Sequence, residues 1–181
     1  MFQLENTQAL VRSINPRVEM HGDETELACD IGLEFALSNK KLQLLDESLL
    51  SCLYRAEPTE NSDSQETLDM GEEMLPHLRF PLLIKFPWDY EGAGYTFELV
   101  DDGLFGDHSV KIGGCKVKKF EVEPEEGGTI KLRLQVQAHP SNDVIGELCE
   151  YIKQKVKVSL IPPSEDDAPQ GDIEDEVGEA A

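Results

Sequence analysis

Cys115-Lys-Val-Lys-Lys-Phe-Glu-Val-Glu-Pro-Glu-Glu-Gly-Gly-Thr-Ile-Lys-Leu-Arg-Leu-Gln-Val-Gln-Ala138 is the stretch whose reading decides the fold. In its second half, Ile130, Leu132, Leu134, Val136 and Ala138 alternate with Lys131, Arg133, Gln135 and Gln137. Successive side chains of a strand point to opposite faces, so this is a strand with one buried and one wet face. In the first half, Val117, Phe120 and Val122 slip out of strict alternation. One extra residue in a strand, a β-bulge, produces that slip. Glu123–Gly128 supplies the turn between the halves, and the whole reads as a β-hairpin.

The same period of two recurs on both sides. It runs through Leu27, Cys29, Ile31, Leu33 and Phe35, through Tyr95, Phe97 and Leu99, and through Val156, Val158 and Leu160. Gln8–Asn15 reads as a short strand that meets a turn signal at Asn15-Pro16, with Arg17–Met20 able to continue it. His108–Ile112 reads as another, running up to Gly113-Gly114. Helical spacing occurs twice. Leu42, Leu45, Leu49, Leu50 and Leu53 form one helix or a pair of short ones, and Val144, Ile145, Leu148, Cys149 and Ile152 follow a cap at Ser141 or Asn142. The expected fold class is α+β: a predominantly antiparallel β sheet, barrel- or sandwich-like, with two helical segments. Residues 1–163 make one domain, within which 56–76 reads as a long acidic loop; Glu57–Glu73 alone holds seven carboxylates.

After Pro162-Pro163 the composition changes. Ser164–Ala181 carries eight carboxylates, no Lys or Arg, and only Ile173 and Val177 as sizeable apolar groups. So little apolar surface cannot offset the entropy of ordering a chain, and 164–181 is expected to be a disordered acidic tail. Its carboxylates Glu165, Asp166, Asp167, Asp172, Glu174, Asp175 and Glu176 are candidates for contact with a basic partner.

Net charge is −21. Residues 1–107 contribute −15, the tail contributes −8, and 108–163 carry +2. The one module that is not acidic is therefore the hairpin, the second helix and the last strand. Its polar positions hold Lys116, Lys118, Lys119, Lys131, Arg133, Lys153, Lys155 and Lys157. If these strands are neighbours, the wet face is a candidate surface for single-stranded nucleic acid, which such proteins bind through a cationic groove and aromatic platforms. Aromatic residues near this face are few, and Glu121, Glu123, Glu125 and Glu126 dilute it. A solvated, mixed-charge face is the plainer reading.

Catalytic signatures are missing: there is no G-x-S-x-G, no phosphate-cradling loop and no H-E-x-x-H. Asp101, Asp102, Asp107 and His108 form the densest set of potential metal ligands, and His21, Asp23 and Glu24 a weaker one. Asp-Asp-Gly is also ordinary turn chemistry, so no metal and no cofactor is expected. Cys29, Cys52, Cys115 and Cys149 sit among apolar residues and read as buried, reduced thiols. No apolar run approaches a membrane span, and Met1–Leu10 has no signal-peptide pattern, so a cytoplasmic protein is expected.

Asn15-Pro-Arg-Val-Glu-Met-His-Gly-Asp23, together with the hairpin-to-helix stretch ending in Lys155-Val-Lys-Val-Ser-Leu-Ile-Pro-Pro163, resembles small uncharacterised proteins of tailed bacteriophages and prophages. The resemblance implies a setting among replication and recombination genes, in the host cytoplasm. The functional expectation is a non-enzymatic accessory protein of DNA metabolism: a β domain that holds single-stranded DNA, regulated by an acidic tail. The alternatives are an acidic inhibitor that imitates nucleic acid and occupies a basic nucleic-acid-binding protein of a host defence or repair complex, and a metal-dependent enzyme.

Overall fold

The computed structural model of the chain describes residues 1–22, 24–56, 75–102 and 107–163. Most of the acidic loop and all of the tail 164–181 lie outside the described residues. So do the side chains of Asp101, Asp102, Asp107 and His108, and of His21, Asp23 and Glu24.

Among the described residues nine strands occur: β1 Leu4–His21, β2 Glu24–Ser38, β3 Tyr54–Arg55, β4 His77–Leu78, β5 Phe86–Trp88, β6 Gly92–Asp102, β7 Asp107–Glu125, β8 Thr129–Ala138 and β9 Lys155–Ile161. Three short helices join them among these residues: a 3-10 helix Asn39–Leu44, α1 Leu49–Leu53 and α2 Asn142–Glu150. The fold is the α+β class expected, and its sheet is a closed barrel. Six strands follow one another in the ring β7-β6-β9-β1-β2-β8, each pair antiparallel, and β7 is long enough to pair with both β6 and β8. β5 lies on β7 beside Glu121, outside the ring, and β3 pairs with β4 separately.

Alternation decides which side chains fill the barrel. Ile130, Leu132, Leu134, Val136 and Ala138 point in and are buried, while Lys131, Arg133, Gln135 and Gln137 point out. A six-stranded barrel has room only for its own side chains. Phe97, Leu99, Val117 and Leu160 fill this one, with Phe2 edge-on to Phe120 at 5.0 Å. α2 buries Ile145 and Leu148.

Where the sequence suggested breaks, two strands instead run on. β1 passes through Pro16, which opposes Cys29 on β2, while on its other side β9 pairs with β1 only as far as Leu10. β7 passes through Gly113-Gly114 by a bulge, with Gly114 at φ +67°. The Leu42–Leu53 stripe resolves into the 3-10 helix and α1. The four cysteines are free, but only Cys29 and Cys115 are buried. Cys52 and Cys149 are exposed, because each lies on a helix just off its buried stripe.

Tyr54 fastens the helical segment to the barrel at the β7–β8 turn. Its buried hydroxyl donates to the Thr129 carbonyl at 2.7 Å and accepts the Glu125 amide at 3.1 Å. Burial, which disfavours the phenolate, pushes this hydroxyl up to about 12. A raised folded-state value stabilises the fold below the ordinary 10 and is lost as pH rises from 10 towards 12. Tyr54→Phe should cost about 1–2 kcal/mol at neutral pH, since it orphans the Glu125 amide. Denaturant midpoints measured from pH 8 upward should then fall less steeply in the variant than in the parent.

Candidate nucleic-acid interface

Two β-bulges build this site. In β7, Lys118 opposes Gln135 and Glu121 opposes Arg133, so Lys119 and Phe120 together face Leu134. Phe120 turns inward and Lys119, at φ 55°, turns outward. In β1, Val11 opposes Leu33 and Ser13 opposes Gly32, so Arg12 is the extra residue. Leu33 in turn opposes Leu134. Both bulges therefore lie on one row crossing β1, β2, β8 and β7, and each adds one outward-pointing cation to it.

The row is a groove of about 390 Å³, lined by Arg12, Ser13, Gly32, Lys119, Glu121, Arg133, Gln135 and Lys153 together with Leu33 and Leu134. Gly32 forms the floor. A Cβ there would stand 2.7 Å from the Ser13 hydroxyl oxygen, so any larger residue would require the Ser13 side chain to turn away. Lys153 enters from the turn after α2. Its backbone N–H donates to the Val11 carbonyl at 2.7 Å and the Val11 N–H donates to the Gln154 carbonyl at 3.0 Å, so the helix end is fastened to the β1 bulge. Lys153 takes φ 68° to do so. Two lysines in the left-handed region, usually left to glycine or asparagine, thus meet at one groove; such backbone cost collects at functional sites.

Carboxylates interleave with these cations. Arg133 reaches Glu34 at 2.7 Å, Glu121 at 2.9 Å and Glu123 at 3.1 Å. Arg12 shares Glu34 at 3.2 Å. Glu34 is held below the ordinary carboxylate range chiefly by Arg133, and Glu121 chiefly by Lys85 and then Arg133. The Arg133 guanidinium is raised in return, by Glu34 and then Glu121. Lys119 and Lys153 make no ion pair among the described residues and are exposed.

The eight cations expected on this face divide into three groups. Lys119, Arg133 and Lys153 line the groove. Lys116 pairs with Glu91 at 2.7 Å, Lys118 donates to Gln137, and Lys131 pairs with Glu125 and Glu123, so these three sit on the flank already engaged. Lys155 and Lys157 lie on β9, separated from β8 by β1 and β2; Lys155 shares a smaller hollow with Lys131, Gln8 and Glu34. Arg12 was missed. Its signal was present: Val11 and Ile14 are three apart where alternation asks for two, the same slip as Val117 to Phe120. The aromatic platforms are not on this face, since Phe120, Phe97, Tyr95 and Tyr151 are buried.

The metal reading falls on side chains outside the described residues. The backbone there is a β6–β7 pairing, Asp101 opposite His108 and Asp102 opposite Asp107. Among the described residues, no group of His, Cys, Asp and Glu could hold a metal ion, and no helix is long and apolar enough to cross a membrane. No family model, no curated protein and no solved structure matches the chain.

Because Glu34 and Glu121 have lowered values, they stabilise the fold above the ordinary 4.5, and that contribution is lost as pH falls through the lowered values. Stability followed by denaturant titration should hold down to about pH 4.5 and then decline. In Arg133→Met the acid decline should be shallower, because Arg133 sets much of the shift.

Proposed function

We propose that the protein is a non-enzymatic accessory of DNA metabolism that binds the phosphate backbone of single-stranded nucleic acid along the two-bulge groove, in a setting of the kind the phage resemblance implies. The observation that carries this reading is the convergence of Arg12, Lys119, Arg133 and Lys153 on one groove. With no aromatic side chain in the groove lining, contact runs through phosphates rather than stacked bases. Binding of that kind is insensitive to sequence and steep in salt. The tail 164–181, with eight carboxylates, competes with phosphates for the same cations.

Imitation of nucleic acid is the second reading, favoured by the −15 carried on residues 1–107. A mimic needs carboxylates left open to a basic partner. Glu34, Glu91, Glu98 and Asp30 instead hold cations of this chain, at Arg133, Lys116, Lys111 and Arg17. Strand binding therefore has the better support.

Anisotropy of a labelled oligothymidylate at low salt tests the proposal. Deleting 164–181 should tighten binding. Lys119→Glu with Lys153→Glu should weaken it by roughly tenfold or more and reduce the salt slope by about 1.4, the loss of two phosphate contacts on a single strand. Failure of both the full chain and the truncated protein to bind at ~50 mM salt would overturn the reading.

A further inference from the structure

Arg79-Phe-Pro-Leu-Leu-Ile-Lys85, between β4 and β5, is apolar yet lies on the surface. Leu83 packs against the core and its N–H donates to the Phe80 carbonyl at 3.0 Å, which fixes the turn. Around that anchor Phe80, Leu82 and Ile84 remain 53%, 95% and 75% exposed. Single exposed apolar residues are ordinary, but three large ones within five residues of a fixed turn mark an interaction surface. Pro87 removes a donor from β5, which discourages addition of another strand at that edge. The surface therefore suits burial of side chains. Its seven residues include two cations and no carboxylate.

We propose that this turn is the docking site for Asp172-Ile-Glu-Asp-Glu-Val177 of the same chain. Ile173 and Val177 cover Phe80, Leu82 and Ile84, and the intervening carboxylates lie beside Arg79 and Lys85. The two stretches are complementary: one is apolar with cationic ends, and the other holds the only sizeable apolar groups of 164–181, set among its carboxylates. Reach is also satisfied. Pro163 lies against Gly94, its ring 3.3 Å from where a Cβ would stand. Ten residues separate Ile84 from Gly94, at most about 35 Å of extended chain, and the ten residues Ser164–Ile173 span as much. Tethering at this range gives an effective concentration of the order of millimolar, so a weak contact is enough.

The turn also adjoins the groove. Lys85 pairs with Glu121 at 2.8 Å, and Glu121 takes Arg133. A docked tail thus holds its remaining carboxylates close to the groove cations. Docking stands apart from the strand-binding reading, because it is read without any oligonucleotide.

Trp88, the only tryptophan, is four residues beyond Ile84 and half-buried, and it reports on the turn. Three full-length proteins are compared: the parent, Ile173→Ser with Val177→Ser, and Leu82→Ser with Ile84→Ser. The expected result is a shifted Trp88 emission in both variants and amide exchange at residues 80–85 several-fold faster in the tail variant than in the parent. A synthetic peptide of residues 164–181 added to the tail variant should restore the parent's exchange rates saturably, and the same peptide with both serines should not. Unchanged exchange at 80–85 in the tail variant overturns the proposal, as does equal restoration by the two peptides. Parent exchange rates that depend on protein concentration also overturn it, in favour of a second copy's tail.

Discussion

Barrel closure, and the two bulges that make it compatible with a groove, is the constraint on which the rest of the structure depends. β7 must pair with β6 along its first half and β8 along its second, and it carries extra residues of its own at Gly113-Gly114 and at Lys119. A bulge adds twist and one unpaired residue to the strand that carries it. β1 carries its own bulge at Arg12, and the row Val11–Leu33–Leu134 places the two side by side. What shapes the barrel also places two extra cations outside it. Structure and candidate function therefore share one cause.

Charge on this surface is arranged by neighbourhood more than by sum. The chain is strongly acidic, yet the folded carboxylates nearest the groove are engaged by Arg12, Arg133 and Lys85. Of the four groove cations, Arg12 and Arg133 hold carboxylates, whereas Lys119 and Lys153, both on left-handed backbone, make no ion pair among the described residues. A regular strand row presents each residue opposite a partner on the next strand, and here Glu and Lys face one another across β7 and β8, as Glu123 and Lys131 do. Lys119, the extra residue of β7, has no such opposite number, and Lys153 lies in the turn between α2 and β9, outside any ladder. Phosphates arriving along the groove would meet these two first, with Arg12, half-exposed, close by.

The core was the readable part of the sequence. Because burial imposes a period of two, alternation in Ile130–Ala138 assigns the buried and wet faces throughout, and in Leu27–Phe35 and Val156–Leu160 it does so except at Ala28 and Ser159, expected on the wet face but buried. The bulge at Phe120 is visible for the same reason. A barrel or a sandwich was expected, but the choice between them and the strand order were not readable, since nothing local says that β7 will take a second partner or that β1 and β2 will stand between β8 and β9. The candidate site suffered most from that gap. Lys155 and Lys157 share a face with Lys131 in pattern but not a neighbouring strand, and Arg12 enters only once β1 is placed beside β2. Pro16 and the Gly113-Gly114 pair read as strand ends because their local chemistry is that of turns, whereas tertiary pairing carries both strands through.

The central claim is that the in-register bulges form a polyanion-binding groove. Amide chemical shifts of the labelled full-length protein, titrated with oligothymidylate at low salt, test it most directly. The account predicts the largest shifts at Ser13, Gly32, Lys119, Gln135 and Lys153, saturating together and reversed by added salt. Shifts centred on β6 and the first half of β7, or no shifts at all, would contradict it.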